Sequence, residues 1–386
     1  MTDPEAAGFG GEPASADPRA EIVAIDCFPL HLPMLKALTT ASHGTRIGEV
    51  LYLRVRTRGG AEGWGEAGID PAMSGETLAG MVASVEQHLR PRLIGRSVFD
   101  RVMISRSLTH HLFANGGPKT AIDMALLDAS GRILGVPAVD LLGGAFRREA
   151  TVLRLVGGSG RTKTDTAEAV ALAAQGFTAF KLKVGVAPIE VEAETVRRLR
   201  QELGPDALVA ADANMAWSAA EASRFCSQVE SSGLVFLEQP VPAGDTARLA
   251  EVARFTRIPI GADEALHGLH DVLALVAAGA VRGVSLKTIK FGGITPMLDA
   301  GRVAHALGLS VNFAMLIESS LSTSAMIHAA CATPQMDWGL SLGALLLADE
   351  PVDRPFECRG GRVAAPMGPG LGVTVDEKRL MRFAPT

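Results

Sequence analysis

AFKLKV at 179–184, followed by ALVAAD (207–212), LVFLEQ (234–239), IPIGAD (258–263) and GVSLK (283–287), decides the fold. Each is a short aliphatic run that ends in polar or charged residues, and Ala-rich stretches of helical spacing lie between them. Runs without polar alternation read as strands buried on both faces, the pattern of a parallel sheet covered by helices. Working outward, TVLRLV (151–156) precedes them, and LSVNFAML (309–316) and the less regular LSLGALLL (340–347) follow. That makes about eight βα units in series, which favours a closed TIM-like barrel in an α/β protein. An open doubly wound sheet is the alternative, but no GxGxxG follows the first strand.

Upstream the rhythm differs. EIVAIDCFPLHL (21–32), GEVLYLRVRTRGG (48–60) and AEGWGEAG (61–68) read as an antiparallel meander. Residues 75–91 and 118–135 carry apolar positions at helical spacing, the second ended by Gly135 and Pro137. Strands followed by helices predict an α+β domain. GPGLGVTVDEKRLMRF (368–383) reads as a strand and a short helical turn returning to that domain.

Composition narrows the function classes. The 386 residues are 47% hydrophobic, enough for a large core and about two domains. The 37 Lys and Arg against 42 Asp and Glu leave a net charge of −5, and no basic run offers phosphates a surface, so no nucleic-acid partner is expected. Cys27, Cys226, Cys331 and Cys358 are too far apart for a CxxC motif and read as reduced thiols. Residues 1–20 are rich in Pro, Gly, Ala and acids, the composition of a disordered tail, without the basic start or apolar stretch of a signal peptide. No apolar run reaches the ~18 residues of a membrane span, so a cytoplasmic protein with no membrane partner is expected.

In a βα barrel the active site lies where strands end. Here those ends carry Lys181 and Lys183, then Asp212 with Asn214, then Glu238, Asp263 and Lys287, on five consecutive strands. Taken singly, each acid reads equally well as an ion-pair partner or a helix cap. Together, Asp212, Glu238 and Asp263 can converge on one point, where three carboxylates need a cation. An all-oxygen set without His or Cys suits Mg²⁺ or Mn²⁺. Lys181 and Lys183, two apart on a strand, point the same way. Lys287 lies four strands on, half the circumference, so Lys183 and Lys287 should face each other across the cation. Burial and neighbouring positive charge lower a lysine from its ordinary pKa of about 10.4, which lets it move protons near neutral pH. A cation holding a substrate carboxylate stabilises charge that develops when the adjacent carbon loses its proton. Racemisation, elimination or cycloisomerisation are the reactions that follow.

These residues resemble the enolase superfamily, and within it the muconate lactonizing enzyme (muconate cycloisomerase) subgroup. The matching pieces are KLKVG around Lys181 and Lys183, DAN at 212–214, EQP at 238–240, DE at 263–264 and KTIKFGG from Lys287. The acids are spaced by 26 and 25 residues, which is similar to that subgroup. The resemblance covers nearly all of the chain beyond the tail. It implies an N-terminal α+β capping domain over 21–145, a modified (β/α)7β barrel over 146–365 and a segment over 366–386 rejoining the cap. It implies Mg²⁺ or Mn²⁺ on Asp212, Glu238 and Asp263, with Lys183 and Lys287 as the acid/base pair. Lys181 would help bind the substrate carboxylate and lower the pKa of Lys183.

A further carboxylate near the seventh strand's end is expected at Glu318, which also reads as a cap for the next helix. Two cap loops, ALTTASHGT (37–45) and IDPAMSGET (69–77), are expected over the cavity, with His43 and Asn214 facing substrate. TTASHG, FANGGPKTAIDMALLDASG, the WG of MDWGLSLGALLLADEPV and the C-terminal stretch look most like muconate cycloisomerases. The Asp-x-Asp signature of dipeptide epimerases near the eighth strand is missing, while ESS after the acid departs from the cycloisomerase pattern. The first reading is a cycloisomerase of a small muconate-like dicarboxylate, in which Lys183 protonates the enolate. The second is a racemase or epimerase of amino acid derivatives such as N-acylamino acids, proline derivatives or dipeptides. A catalytically inert barrel is the third. A homo-oligomer, dimer or octamer, is implied by the resemblance.

Overall fold

Three strands open the fold: β1 (Ile22–Thr39), β2 (Gly44–Thr57) and β3 (Glu62–Gly68), antiparallel in the order β1-β2-β3. The computed structural model describes residues 17–39, 41 and 44–385, so 1–16 of the expected tail and His43 lie outside the described residues. Asp17 caps a 3-10 turn, Pro18–Ala20, whose Ala20 is buried.

The GWGEAG run explains how the sheet meets its helix. A Cβ on Gly63 or Gly65 would fall on the carbonyl oxygens of Ala125 and Ala121, so only glycine lets the helix Gly116–Leu134 lie directly on β3. That helix is buried from Gly117 to Gly131, wedged between sheet and barrel. It ends at Gly135, whose φ of 70° is the left-handed cap conformation. The helix expected over 75–91 begins at Leu78 with Thr77 as its cap and widens into a π turn at Ser84–Leu89. Pro91, which has no N–H to donate, follows that turn.

Seven parallel strands form the second sheet. They are β5 (Leu153–Gly157), β6 (Ala179–Lys183), β7 (Leu208–Asp212), β8 (Leu237–Glu238), β9 (Ile260–Ala262), β10 (Gly283–Leu286) and β11 (Ser310–Phe313), each next to its sequence neighbour. A short β4 (Glu149–Thr151) precedes them and pairs antiparallel with β12 (Arg362–Ala364). The strand expected at 340–347 is reduced to one rung. Leu340 bridges Val152 on one side and Phe313 on the other, joining the two sheet edges. Beyond it the chain turns into a 3-10 helix, Gly343–Leu346. Gly343 sits where a Cβ would come within 2.6 Å of the Leu316 carbonyl, so the turn above β11 occupies the space a longer strand needs.

The barrel interior is closed at one end by Phe236 stacked on Trp338, ring centroids 4.0 Å apart. Gly261 and Gly283 make room for that indole, since a Cβ on Gly261 would meet it at 2.8 Å.

Carboxylates of the first domain cap barrel helices. Asp123 accepts from the amides of Ile294 (2.8 Å) and Thr295 (3.2 Å) at the start of the helix Ile294–Ala306. Glu66 accepts from Ser319 N–H (2.7 Å), the Ser319 hydroxyl (2.5 Å) and Ser322 N–H (2.9 Å) at the start of Ser320–Ala332. Helix N-termini leave amides without intrahelical acceptors, and these carboxyl oxygens supply them. The C-terminal stretch reaches the same domain through Ala138 N–H to Gly370 O (2.7 Å) and Leu371 N–H to Asp128 (2.8 Å). Single bridges replace the strand expected there, and the helical turns Glu377–Leu380 and Met381–Phe383 follow. Among the described residues no helix is long and apolar enough to cross a membrane.

Gly65→Ala should lower unfolding stability by about 1–3 kcal/mol or more in urea titration, because its methyl group meets helix backbone rather than a movable side chain. Burial, with Glu318 nearby, pushes Glu66 from 4.5 up to about 8. A raised carboxyl binds its proton more tightly when folded, so its stabilising contribution is present below about pH 4.5 and is lost as pH rises toward 8. Glu66→Gln should therefore flatten the pH dependence of melting across that window; an unchanged slope would show that other groups produce it.

Candidate active site

Parallel register brings the acids to one level. Lys183 partners Asp212, Asp212 partners Glu238, and Glu238 partners Gly261, two residues before Asp263. Residues opposite one another in a parallel pair share a face, so these side chains all enter the barrel. Asp212 (1% exposed), Glu238 (0%) and Asp263 (2%) are buried there.

Each acid meets an ammonium. Lys183 donates to Asp212 at 2.6 Å and to Asn214 Oδ1 at 2.9 Å. Lys181 donates to Glu238 and lies 3.9 Å from Asp212. Lys287 donates to Asp263 Oδ2 at 2.6 Å. Lys290 donates to Asp263 Oδ1 at 2.6 Å and to the Asp263 and Ser285 carbonyls at 2.7 and 2.8 Å. The Ser285 hydroxyl donates to the other oxygen of Glu238.

The tripeptides DAN and EQP earn their places through backbone geometry. Asn214 and Gln239 adopt φ of 41° and 35°, left-handed values that non-glycine residues avoid unless held. Asn214 is held by its amide on Asp212 (3.0 Å) and its side chain on Glu264 (3.0 Å). Gln239 Oε1 accepts from the amides of Asp263 and Ala265, both at 3.1 Å, and so locks the next strand end.

Electrostatics follow from this pairing. Burial works against ionised Asp263, but Lys287, Lys290 and Lys181 outweigh it and hold its carboxyl far below the usual range. Asp212 is also held low, burial being overcome by Lys183 and Lys181. Glu238 is pushed up, because burial and the neighbouring acids prevail over Lys181. Burial and Asp263 push Glu264 up to about 7. Burial favours the neutral form of Lys287, yet Asp263 in direct contact raises it above the ordinary lysine value.

Lys183, Asn214, Glu264 and Lys287 face a cavity of about 380 Å³. Its cover comes from the first domain, through Leu38, Thr45 and Ile47 on one side and the helical turn Pro71–Ser74 on the other. Met73 of that turn brings its sulfur within 3.6 Å of Lys287 Nζ. Glu318 does not line this cavity. It is buried, with its oxygens on the amides of Gly68 and Leu316, both at 3.2 Å. His43 falls outside the described residues, though Thr45 beside it is on the wall.

Lys290, Ser285 and Glu264 belong to the site although the sequence alone does not single them out for it. Signals for the first two are present: a lysine three residues past Lys287 in an apolar turn, and a serine two before it on the same strand face. Glu264 follows Asp263 directly, and adjacency on a strand gives no hint that both acids reach one site.

Among the described residues no group of three or more His, Cys, Asp or Glu is poised around one cation position, because lysine ammoniums stand between the acids. The donor set still fits a divalent ion: buried all-oxygen acids from adjacent strands, beside Glu264, whose Oε2 is buried without a partner among the described residues.

Residues 20–143 match the mandelate racemase/muconate lactonizing enzyme N-terminal domain, and 165–379 match the enolase C-terminal domain-like family. Muconate cycloisomerase 1 of Rhodococcus opacus is 33% identical over 92% of this chain and 96% of that protein. The structure of the muconate lactonizing enzyme from Pseudomonas putida is 34% identical, with a TM-score of 0.88 over 95% of this chain and all of that one. An N-succinyl Arg/Lys racemase from Bacillus cereus shares the fold at a TM-score of 0.90 and 23% identity, covering 95% of this chain and 98% of its own. With both halves matched and the acids and lysines gathered in the barrel mouth, the chain belongs to the mandelate racemase/muconate lactonizing enzyme family of the enolase superfamily.

Proposed function

We propose that this enzyme is a cycloisomerase of a small muconate-like dicarboxylate, with Lys183 as the acid that protonates carbon. The observation that carries the reading is the placement of Lys183 and Lys287 on one small cavity directly above the buried acids. Full-length identity to muconate cycloisomerases supports that reaction among those the family performs.

Asp212, Glu238 and Asp263 would hold Mg²⁺ or Mn²⁺, which supplies positive charge to a substrate carboxylate and to the charge that builds on it during reaction. In the substrate one carboxylate adds to a double bond, and the carbon alpha to the other carboxylate becomes basic. Lys183 delivers a proton to that carbon, with Asn214 Oδ1 fixing its ammonium. Lys287, from the opposite side, contributes positive charge. Met73 and the turn around it shield that side from water.

Charge matching supports a dianion. With Glu238 and Glu264 ionised by a bound cation, the four acids Asp212, Glu238, Asp263 and Glu264 would be balanced by Lys181, Lys183, Lys287 and Lys290, so the divalent ion would leave an excess that two carboxylates neutralise better than one. Among the described residues the cavity carboxylate with an unpartnered oxygen is Glu264, which stands beside the cation ligands, so an ammonium-bearing substrate would compete with the cation for it. The wall from Ser341 to Leu346 offers no carboxylate, Glu49 pairs with His31, and Asp70 caps its own turn. A cavity of about 380 Å³ is near the lower end of ligand pockets, about 300–1,000 Å³. That size suits a small acid.

With cis,cis-muconate and Mg²⁺, Lys183→Ala should lower kcat about 10²- to 10⁴-fold, and Lys287→Ala should lower it less. In deuterated solvent the product should carry one solvent deuteron, at the carbon alpha to a carboxylate. Exchange of the alpha proton of an N-acylamino acid, lost equally in both lysine variants, would instead establish a two-base racemase. EDTA should abolish turnover, and Mg²⁺ or Mn²⁺ should restore it; full activity in EDTA would end the metal reading.

A further inference from the structure

β11 carries an asparagine between apolar residues, and nothing in the proposed chemistry uses it. Asn312 is in parallel register with Ser285 of β10, so the two side chains share a face. Ser285 points into the barrel, because its hydroxyl donates to Glu238. Asn312 therefore enters the barrel one strand away, about 4.8 Å along the sheet. It is fully buried, and neither its Nδ2 nor its Oδ1 has a hydrogen-bonding partner among the described residues.

Ser341 repeats the pattern. Its neighbour Leu340 is the bridge partner of Phe313, which puts Ser341 on the inward face with Asn312. Ser341 lines the cavity, and its Oγ also has no partner among the described residues. The stacked Phe236 and Trp338 close the barrel below.

An amide buried without partners costs about 2–7 kcal/mol, and folded chains rarely leave one unpaired. An apolar guest would leave Asn312 unpaired. A charged guest would find the neighbouring charges of Glu238 and Lys290 already paired, with Lys181 and Asp263. A water molecule needs 2–4 polar partners, and Asn312, Ser285 and Ser341 provide them. Such a water donates to Asn312 Oδ1 and to the Ser285 hydroxyl oxygen, whose own proton is committed to Glu238.

We propose that Asn312, Ser285 and Ser341 hold an ordered water inside the barrel, and that Asn312 is thereby a positioning residue for Glu238. The second half rests on the reading of Glu238 as a cation ligand. Partners behind a ligating carboxylate set its orientation and are worth about 10- to 100-fold in metal affinity.

The test combines a high-resolution crystal structure of the full chain with Mg²⁺ titration calorimetry of wild type and Asn312→Leu, and melting of both in EDTA. Expected are density for a water within hydrogen-bonding distance of Asn312 and Ser341, and Mg²⁺ binding weakened about 10- to 100-fold in Asn312→Leu. Its melting temperature in EDTA should be unchanged or higher, which separates positioning from loss of structure. A dry barrel at Asn312, or unaltered Mg²⁺ affinity in the variant, overturns the proposal. If Asn312→Leu does not fold, Ser341→Ala is read by the same criteria. Wild type that binds no Mg²⁺ overturns the cation reading of Glu238 and the positioning role with it, while the density still judges the water site alone.

Discussion

A carboxylate cannot be buried alone, and the interior of this barrel is arranged around that fact. Moving an ion from water into protein costs several kcal/mol even after relaxation, and only close, hydrogen-bonded countercharge offsets it. Asp212, Glu238 and Asp263 are each met by at least one lysine, and Lys290 makes three hydrogen bonds around Asp263 and Ser285. Lysines that no proposed step uses, Lys181 and Lys290, are thus as necessary to the folded barrel as those that face the cavity. The pairing also creates a competition. The ammonium of Lys287 that neutralises Asp263 is one that the chemistry needs beside substrate, and one carboxylate cannot serve an ammonium and a divalent ion equally well. Loading the acids with a cation would therefore free the lysines that catalysis uses.

The cavity exists only because the first domain is fixed over the barrel mouth. That docking uses helix N-termini as anchors. Asp123 takes the start of the helix after β10, and Glu66 the start of the helix after β11. Both helices begin at the mouth, so anchoring them places β3 and the turn Pro71–Ser74 above Lys183 and Lys287. Glu318 belongs to this anchorage, since one of its oxygens accepts from Gly68 at the end of β3. Gly68 itself is a close approach: a Cβ there would come within 2.8 Å of Glu318.

What the sequence makes legible depends on whether the signal is local. Strands β5 to β11 are readable because burial on both faces removes polar alternation. The site is readable because a charge at the buried end of an apolar strand is too costly to keep unless it is paired or used. The eighth strand misleads for the same reason that the others inform. LSLGALLL is apolar because it is buried, but Gly343 turns it out of the sheet against a segment distant in sequence. Direct contact with Asp263 raises Lys287, and such a contact lies in three dimensions only. Glu66 hides among glycines in a strand that reads as half-exposed, because its partners lie more than 250 residues away. Glu318 falls near the expected strand end, but whether it faces cavity or cap is decided by Gly68.

The vertical order of the barrel explains why so small a cavity can be electrostatically strong. At the bottom the stacked Phe236 and Trp338 form an apolar floor; above them lie the paired charges, with Ser285 and Asn312 beside them, then the cavity with its two lysines. A charge interacts more strongly as the surrounding dielectric falls, so an ammonium standing on such a stack acts on substrate with little screening from below. Gly261 and Gly283 are what permit it, since either side chain would displace the indole that seals the floor.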